Sequence, residues 1–426
     1  MEYLVSIDIM GKPVLVGRIA GADSGSARFR YDRTYLSEES SRPISLSLPL
    51  QEEPFPADQT KAFFDGLLPE GFTRRAVAGF LHLNENDYLE ILYHLGRECI
   101  GALRIYTEGE SVKAGYEKLS VERMRQLAAE GASDSAALLV ESRLSLAGAS
   151  GKVGAYRDPV THEWYLPHGT APSTHIVKQS HVRLKQIVQN ELLCLLTAKY
   201  CGIDIPETFI INQGSGRDEE ILLASERFDR RIPEEPQIID GMAVPLRLHQ
   251  EDFGEALGIP SAEKYEHGRR HLKEMFTLLR IRSARPVEDQ IKLWDRIVFN
   301  YLIGNTDGHL KNYSILYSED LRSIRLAPAY DIINTTGYPG MTHEMAFSIG
   351  NAGVIEDVTE NSFREAAKEA GLGEALALDR VDSMTEKFRP ALTSACEDLV
   401  KQGFSDAERI KDVILRTGGI RQITGR

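Results

Sequence analysis

The chain has 426 residues, of which 42% are hydrophobic and 27% charged, a globular balance with enough apolar side chains for more than one core; this excludes a disordered or fibrous chain. Its formal net charge of −13 argues against nucleic acid as a sole partner, since an acidic chain is repelled by phosphate backbones unless a basic patch or a basic partner protein intervenes. The four cysteines, Cys99, Cys194, Cys201 and Cys396, show no zinc or disulfide framework and suit a reducing cytoplasm.

In chain order, residues 1 to about 55 read as strands: "YLVSIDIM", "PVLVGRIA", "ARFRYDRTYL" and "PISLSLPL" alternate or carry β-branched residues between Gly, Pro, Asp and Ser. The opening lacks the basic start of a signal peptide, and no apolar run approaches the roughly 20 residues of a bilayer span, so no membrane is expected. "QTKAFFDGLLP", "GFTRRAVAGFLHL" and "ENDYLEILYHLG" read as helices and complete an α+β module over 1–110. The polar stretch around 106–120 reads as a boundary.

A helical piece at Val121–Gly131 then precedes strand-like "SRLSLAG", "KVGAYRDP", "WYLPHG" and "THIVKQ". Next comes one long amphipathic helix, "LKQIVQNELLCLLTAKYCG", then strands "TFIIN" and "EILLASERFDRR". After about 245 nearly everything reads helical. A β-rich unit at 120–240 followed by a helical unit at 241–426 predicts two lobes with a ligand cleft between them.

Chemistry concentrates in "NTDGHLKN". Asp307 and Asn312 are five residues apart, the Asp-x-x-x-x-Asn spacing of kinase catalytic loops, in which the Asp accepts the substrate hydroxyl proton and the Asn ligates Mg²⁺. The same residues also make a plain polar turn. "YSILYSEDLRSIRLAP" reads as a hairpin that would return Asp331 beside Asp307, either as a second metal carboxylate or as the N-cap of a following helix. Lys178 ends a strand, and Glu191 lies on the next helix. The two read either as the lysine–glutamate pair that holds nucleotide phosphates or as solvated surface charges. "LSLAGASGKVGAY" offers Gly148, Gly151 and Gly154 either as a phosphate cradle or as a hairpin turn, and is not a Walker A sequence. In "ASERFDRR", Glu226, Arg227 and Phe228 stand where a connector could meet a purine, or simply form a charged strand end.

These signals occur in kinase order, and the sequence resembles the HipA family of serine/threonine kinases, the toxin half of bacterial HipA–HipB toxin–antitoxin pairs. The match is carried by "LSLAGASGK", "THIVK", "ERFDRR", "RLHQEDFGEALGIPSAEKYE", "NTDGHLKN" and "YDII", with "FFDGLLPEGFTRRAVA" and "HLGRECIGAL" matching the family's N-terminal module. The resemblance implies a two-lobed α+β kinase-like fold and an ATP- and Mg²⁺-dependent protein kinase. Asp307 would be the catalytic base, and Asn312 and Asp331 the metal ligands. Lys178, oriented by Glu191, would bind phosphates. Ala147, Gly148, Ala149, Ser150, Gly151 and Lys152 would form the phosphate loop, and Glu226, Arg227, Phe228, His309, Lys311 and Tyr330 would complete the ATP site. Ser145 would be the autophosphorylated serine, whose modification ejects the loop. Ser150 and Gly151 replace the family's Gln and its neighbour, which bears on the loop's motion. The resemblance further implies a HipB-like helix-turn-helix antitoxin as partner, DNA contact only through it, and an aminoacyl-tRNA synthetase as protein substrate. Other readings are a non-catalytic co-repressor and a small-molecule kinase.

Overall fold

The computed structural model describes residues 2–110, 112–130, 132–147, 151–180, 184–268 and 270–424. β1 (Glu2–Ile9) and β2 (Lys12–Ala20) form a hairpin closed by Met10 and Gly11, with φ of 50° and 76°, the pair of positive angles that matches strand twist in a two-residue turn. β3 (Arg28–Tyr31) and β4 (Leu103–Tyr106) complete a four-stranded sheet in the order β3-β2-β1-β4. The helices Ala57–Phe64, Gly71–Leu81 and Tyr88–Leu95 accompany this sheet, as the apolar spacing predicts. "PISLSLPL" is not a strand: only a single bridge, Ser45 to Leu48, forms there, because its serines and prolines favour local turns over a ladder.

The next sheet is six-stranded and antiparallel throughout. It contains β5 (Gly115–Lys118), β6 (Lys152–Arg157), β7 (Trp164–His168), β8 (His175–Gln179), β9 (Thr208–Asn212) and β10 (Ile221–Glu226), in the order β5-β7-β6-β8-β10-β9. β5 falls inside the stretch expected to be a boundary. "SRLSLAG" is not a strand, since the helix Ala132–Ser142 runs into it and only Leu144 makes isolated bridges, to Gly96 and Glu98. On central β8, His175 and Val177 face one side and Ile176 and Lys178 the other. Val177 packs with Val153, Leu222 and Ala224, while the Lys178 face looks toward the helix Ile187–Tyr200. That helix is buried on nearly every side, from Val188 to Leu195 without interruption, so it is a core helix rather than an amphipathic one.

The C-terminal part is helical, with Phe253–Leu257, His271–Arg282, Pro286–Ile303, Glu360–Ala370, Glu374–Lys401 and Asp406–Thr417. It also holds the strands Ser314–Tyr317 and Ile324–Leu326, and three that apolar content alone conceals: Gln250–Asp252, Glu344–Ile349 and Ala352–Val354. The hairpin expected after the polar loop is there, with Ile315 opposite Leu326 and Tyr317 opposite Ile324. No helix is long and apolar enough to cross a membrane among the described residues.

The N-terminal module docks on the rest through buried charges. Glu98 Oε1 accepts from Arg230 Nη2 at 2.7 Å and Arg227 Nη1 at 3.2 Å. Asp229 accepts both an Arg227 bond at 2.8 Å and the Gly101 amide at 2.8 Å. All four side chains are at most 2% exposed. Nearby, Glu251 accepts from Ser45 Oγ at 2.5 Å and the Leu46 amide at 3.0 Å. Removing one member of such a cluster strands a buried charge. Glu98→Ala should therefore lower stability in chemical denaturation by about 3–5 kcal/mol, with Glu98→Gln costing less because it keeps two polar atoms at the site.

Candidate active site

The helix Pro286–Ile303 begins with Pro at its first turn and with Glu288 and Asp289 near its positive end. It ends at Gly304, whose φ is 79° and where an added Cβ would lie 2.4 Å from Thr336 Oγ1; only glycine fits. The chain then turns into Asn305-Thr306-Asp307, and side chains fix it. Asn305 Nδ2 donates to Asn300 Oδ1 at 3.0 Å, and Asn305 Oδ1 accepts the Asp307 amide at 3.1 Å. The Thr306 amide donates to Thr335 Oγ1 at 2.8 Å. Asn312 Nδ2 donates to the Asp307 carbonyl at 3.0 Å. The Asp-x-x-x-x-Asn segment is thus one closed turn. Because its amide nitrogen is engaged, the Asn312 side-chain oxygen is the atom left for a cation.

Across the cleft, Lys178 Nζ lies 2.6 Å from Glu191 Oε1 and 2.6 Å from Asp331 Oδ1. Sheet, buried helix and the segment after the hairpin therefore meet on one ammonium. Asp331 is not an N-cap; no helix follows it, and its φ is 57°, a strained left-handed value for a non-glycine residue. Burial pushes its acidity weaker, but Lys178 and then Lys152 hold the carboxylate well below its ordinary range. Lys178 is held above the usual lysine range: burial opposes its charge, and Asp331 and Glu191 outweigh burial. Glu191 moves the other way, raised by burial against the pull of Lys178. Lys152 stands opposite Lys178 in the β6–β8 register and is 8% exposed; burial, partly offset by Asp331 and reinforced by Lys178, pushes it down to about 8. Asp307 is raised by burial, with Tyr265 pulling it back and Asp331 adding to the rise. The charges of Asp307 and Asp331 therefore act on each other within one cleft.

The remaining sequence candidates divide. Phe228 stacks on Tyr330, with centroids 5.8 Å apart at 29°, and Tyr330 donates its hydroxyl to the Lys311 carbonyl at 2.9 Å. Tyr330 immediately precedes Asp331 in the chain, so this aromatic pair adjoins that carboxylate. Glu226 ends β10 with its side chain exposed and its amide bonded to the Glu207 carbonyl at 2.8 Å. Arg227 does not join them; all its nitrogens are engaged by Asp229, Glu98, Ser173 and the Cys99 carbonyl. Lys311 points away from the cleft too, donating to the Gly66 carbonyl and Asp252 Oδ2, each at 2.9 Å. His309 is buried edge-on against Tyr265, with centroids 5.2 Å apart. Burial and then Lys264 push it down to about 3, so the ring is neutral.

Ser145 is fully buried and donates to the Leu67 carbonyl at 2.6 Å, docked on the N-terminal module. Ala147 and Gly151 flank residues 148–150. Gly148, Ala149 and Ser150 lie outside the described residues. Sequence reading gave no role to Glu70, Asp252, Lys264 or Tyr265. Lys264 Nζ reaches Glu70 Oε2 at 2.6 Å, and Tyr265 donates to Asp307 Oδ1 at 2.6 Å. No local pattern marks pairs this far apart in sequence; only the place of Lys264 and Tyr265 within "SAEKYE", of Glu70 within "LPEG" and of Asp252 within "HQEDFG" singles out these residues.

Comparison with known proteins agrees along the whole chain. Residues 7–106 match the HipA N-terminal domain and residues 144–392 the HipA-like C-terminal domain. A putative kinase, Y4mE, of Sinorhizobium fredii is 33% identical over 393 residues, covering 90% of both chains. The serine/threonine-protein kinase toxin HipA of Shewanella oneidensis is 26% identical over 357 residues, covering 79% of this chain and 76% of its own. A chain of the solved Shewanella oneidensis HipA, HipB and operator DNA complex has the same fold, with a TM-score of 0.78 at 20% identity over 99% of this chain and 97% of that one. The two-lobed α+β fold with its added N-terminal module, and a relative a third identical over nine tenths of both chains, place this chain in the HipA family.

Proposed function

We propose that this protein is an ATP- and Mg²⁺-dependent serine/threonine protein kinase, acting as the toxin of a toxin–antitoxin pair in the bacterial cytoplasm. The observation that carries this is the Lys178 ammonium bridging Glu191 and Asp331 at 2.6 Å each, in the cleft that holds Asp307 and Asn312. That set supplies one cation for nucleotide phosphates, hard oxygen donors for a divalent ion, and one carboxylate left for the acceptor.

The donor set fits Mg²⁺. Asp331 has its second carboxylate oxygen free of Lys178, and Asn312 presents its amide oxygen. Asp331 and Asn312 would hold the ion, which would supply positive charge against the phosphate groups of ATP. Lys178 holds the phosphates, with Lys152 beside it. Phe228 and Tyr330, stacked on each other, offer the base an aromatic surface on one side, and Glu226 ends the strand whose backbone meets the purine edge. Asp307 accepts the proton of the attacking serine or threonine hydroxyl as its oxygen bonds to the γ-phosphorus and ADP departs. Burial of Asp307 raises its basicity toward that task.

Self-limitation is the second part of the proposal. Ser145 is the phosphorylated residue. Its hydroxyl is now bonded to Leu67, so the 144–147 segment must leave the N-terminal module before the hydroxyl reaches Asp307. A phosphate carrying nearly two negative charges would not fit back into that buried seat. Relatives named for a HipA–HipB–operator DNA complex and for a kinase toxin support a HipB-like antitoxin as partner, with DNA contact through it; an aminoacyl-tRNA synthetase as substrate is carried by the family resemblance of the sequence alone. The buried seat of Ser145 also favours a second reading, a co-repressor that binds nucleotide without transferring phosphate.

Incubation with γ-labelled ATP and Mg²⁺ decides between them. Label should appear on Ser145, and Asp307→Asn should lower the rate about 10²–10⁴-fold while ATP still binds. Bound ATP with no protein labelled would favour the co-repressor. ATP affinity should also depend on pH through Lys152. Its ammonium, near 8 in the free protein, is favoured by phosphate charge, so binding takes up a proton. Affinity is full below about pH 8 and falls as pH rises through it. Calorimetry at pH 8–9 in buffers of different ionisation heat should read that proton uptake, and Lys152→Met should abolish it.

A further inference from the structure

A general base must sit within about 2.6–3.2 Å, heavy atom to heavy atom, of the oxygen whose proton it takes. A free carboxylate is poorly suited to this, because its terminal torsion is broad and two-fold. In this protein one oxygen of Asp307 is already fixed. Tyr265 donates its phenol hydrogen to Oδ1 at 2.6 Å, from 42 residues earlier in the chain. Oδ2 has no hydrogen bond among the described residues.

The Tyr265 turn is itself held on three sides. Lys264 Nζ lies 2.6 Å from Glu70 Oε2 of the N-terminal module. The Lys264 carbonyl accepts the Leu310 amide of the catalytic loop at 3.4 Å. The Glu266 amide donates to the Ala346 carbonyl at 2.8 Å, and its carboxylate accepts the Ser348 amide at 2.6 Å. The Tyr265 ring stands edge-on to His309 at 87°. A rigid phenol aimed from a stapled turn orients a carboxylate without contributing charge of its own.

We propose that Tyr265 is a positioning residue that turns Asp307 Oδ2 toward the acceptor hydroxyl, and that Glu70 of the N-terminal module sets Tyr265 through Lys264. The module thereby reaches the chemistry without touching nucleotide. This rests on the phosphoryl-transfer reading above.

Tyr265→Phe keeps the ring against His309 and removes only the hydroxyl. It should lower kcat about tenfold, the loss of one hydrogen bond to a charged group, with the ATP KM and dissociation constant unchanged within about twofold. Glu70→Gln should lower kcat roughly threefold. The double variant should be no slower than Tyr265→Phe alone, because both act through one path. A kcat for Tyr265→Phe equal to the wild type would overturn the proposal, as would additive losses. A kcat above the wild type would also overturn it, since the phenol would then be blocking the base. Should the wild type transfer no phosphate, the kinase reading falls, and the ¹³C shift of the Asp307 carboxyl still decides this one. A displaced signal in Tyr265→Phe supports the positioning contact, and an unmoved signal overturns it.

Discussion

One buried ammonium governs this molecule. Lys178 is 13% exposed and touches two carboxylates, Glu191 at 8% and Asp331 at 34%. Each ion taken from water costs several kcal/mol after relaxation, and only close, well-formed pairing offsets it. Sheet, core helix and the segment after the hairpin must therefore keep one spatial relation, or the lysine is left buried and unpaired. The left-handed backbone at Asp331 belongs to the same constraint. A strained residue persists where its surroundings over-determine it, and here two lysines draw its carboxylate inward. Two anions around Lys178, with Lys152 as the second cation, leave the cleft with acidic and basic side chains in equal number at this point.

The junction with the N-terminal module follows the same physics with a different outcome. Glu98, Arg227, Asp229 and Arg230 are almost wholly buried and satisfy one another with several hydrogen bonds each. Glu251 is pushed up to about 7 by burial, against the hydrogen bonds from Ser45 and Tyr317. Polar junctions of this kind add little net stability compared with apolar packing, but they tolerate few alternative geometries. The module's loop at Gly66–Glu70 is thereby delivered to fixed points: Gly66 to Lys311, Leu67 to Ser145 and Glu70 to Lys264.

What could be read from the residues follows from the range of each interaction. Asp307 and Asn312 were legible because their relation is a single turn. Lys178 and Glu191 were legible because a strand and the next helix meet 13 residues apart. The hairpin showed in its two apolar runs around a polar turn. The small strands at Gln250–Asp252 and Glu344–Ile349 did not, since three to six residues beside helices carry too little periodicity to mark a ladder. The family resemblance implied a nucleotide contact for Lys311; its partners here, Asp252 and Gly66, are 59 and 245 residues away. Arg227 was ambiguous for the same reason, with Glu98 129 residues distant. Nothing short-range distinguishes a lysine aimed at phosphate from one aimed at a buried carboxylate.

The segment Glu226-Arg227-Phe228-Asp229 shows how one stretch serves both systems. Phe228 stacks on Tyr330 at the cleft, whereas its neighbours Arg227 and Asp229 enter the buried cluster behind it. Phe228 and Asp229 are the central residues of a turn closed by the Arg230 amide on the Arg227 carbonyl at 3.1 Å, so the Phe228–Tyr330 stack and the inter-module brace share the same few peptide units. The Gly101 amide and the Cys99 carbonyl of the N-terminal module bond the side chains of Asp229 and Arg227, so the module and the Phe228–Tyr330 stack bear on the same turn. Coupling between the module and the Phe228–Tyr330 stack therefore needs no long pathway, because both sets of contacts are made from one turn.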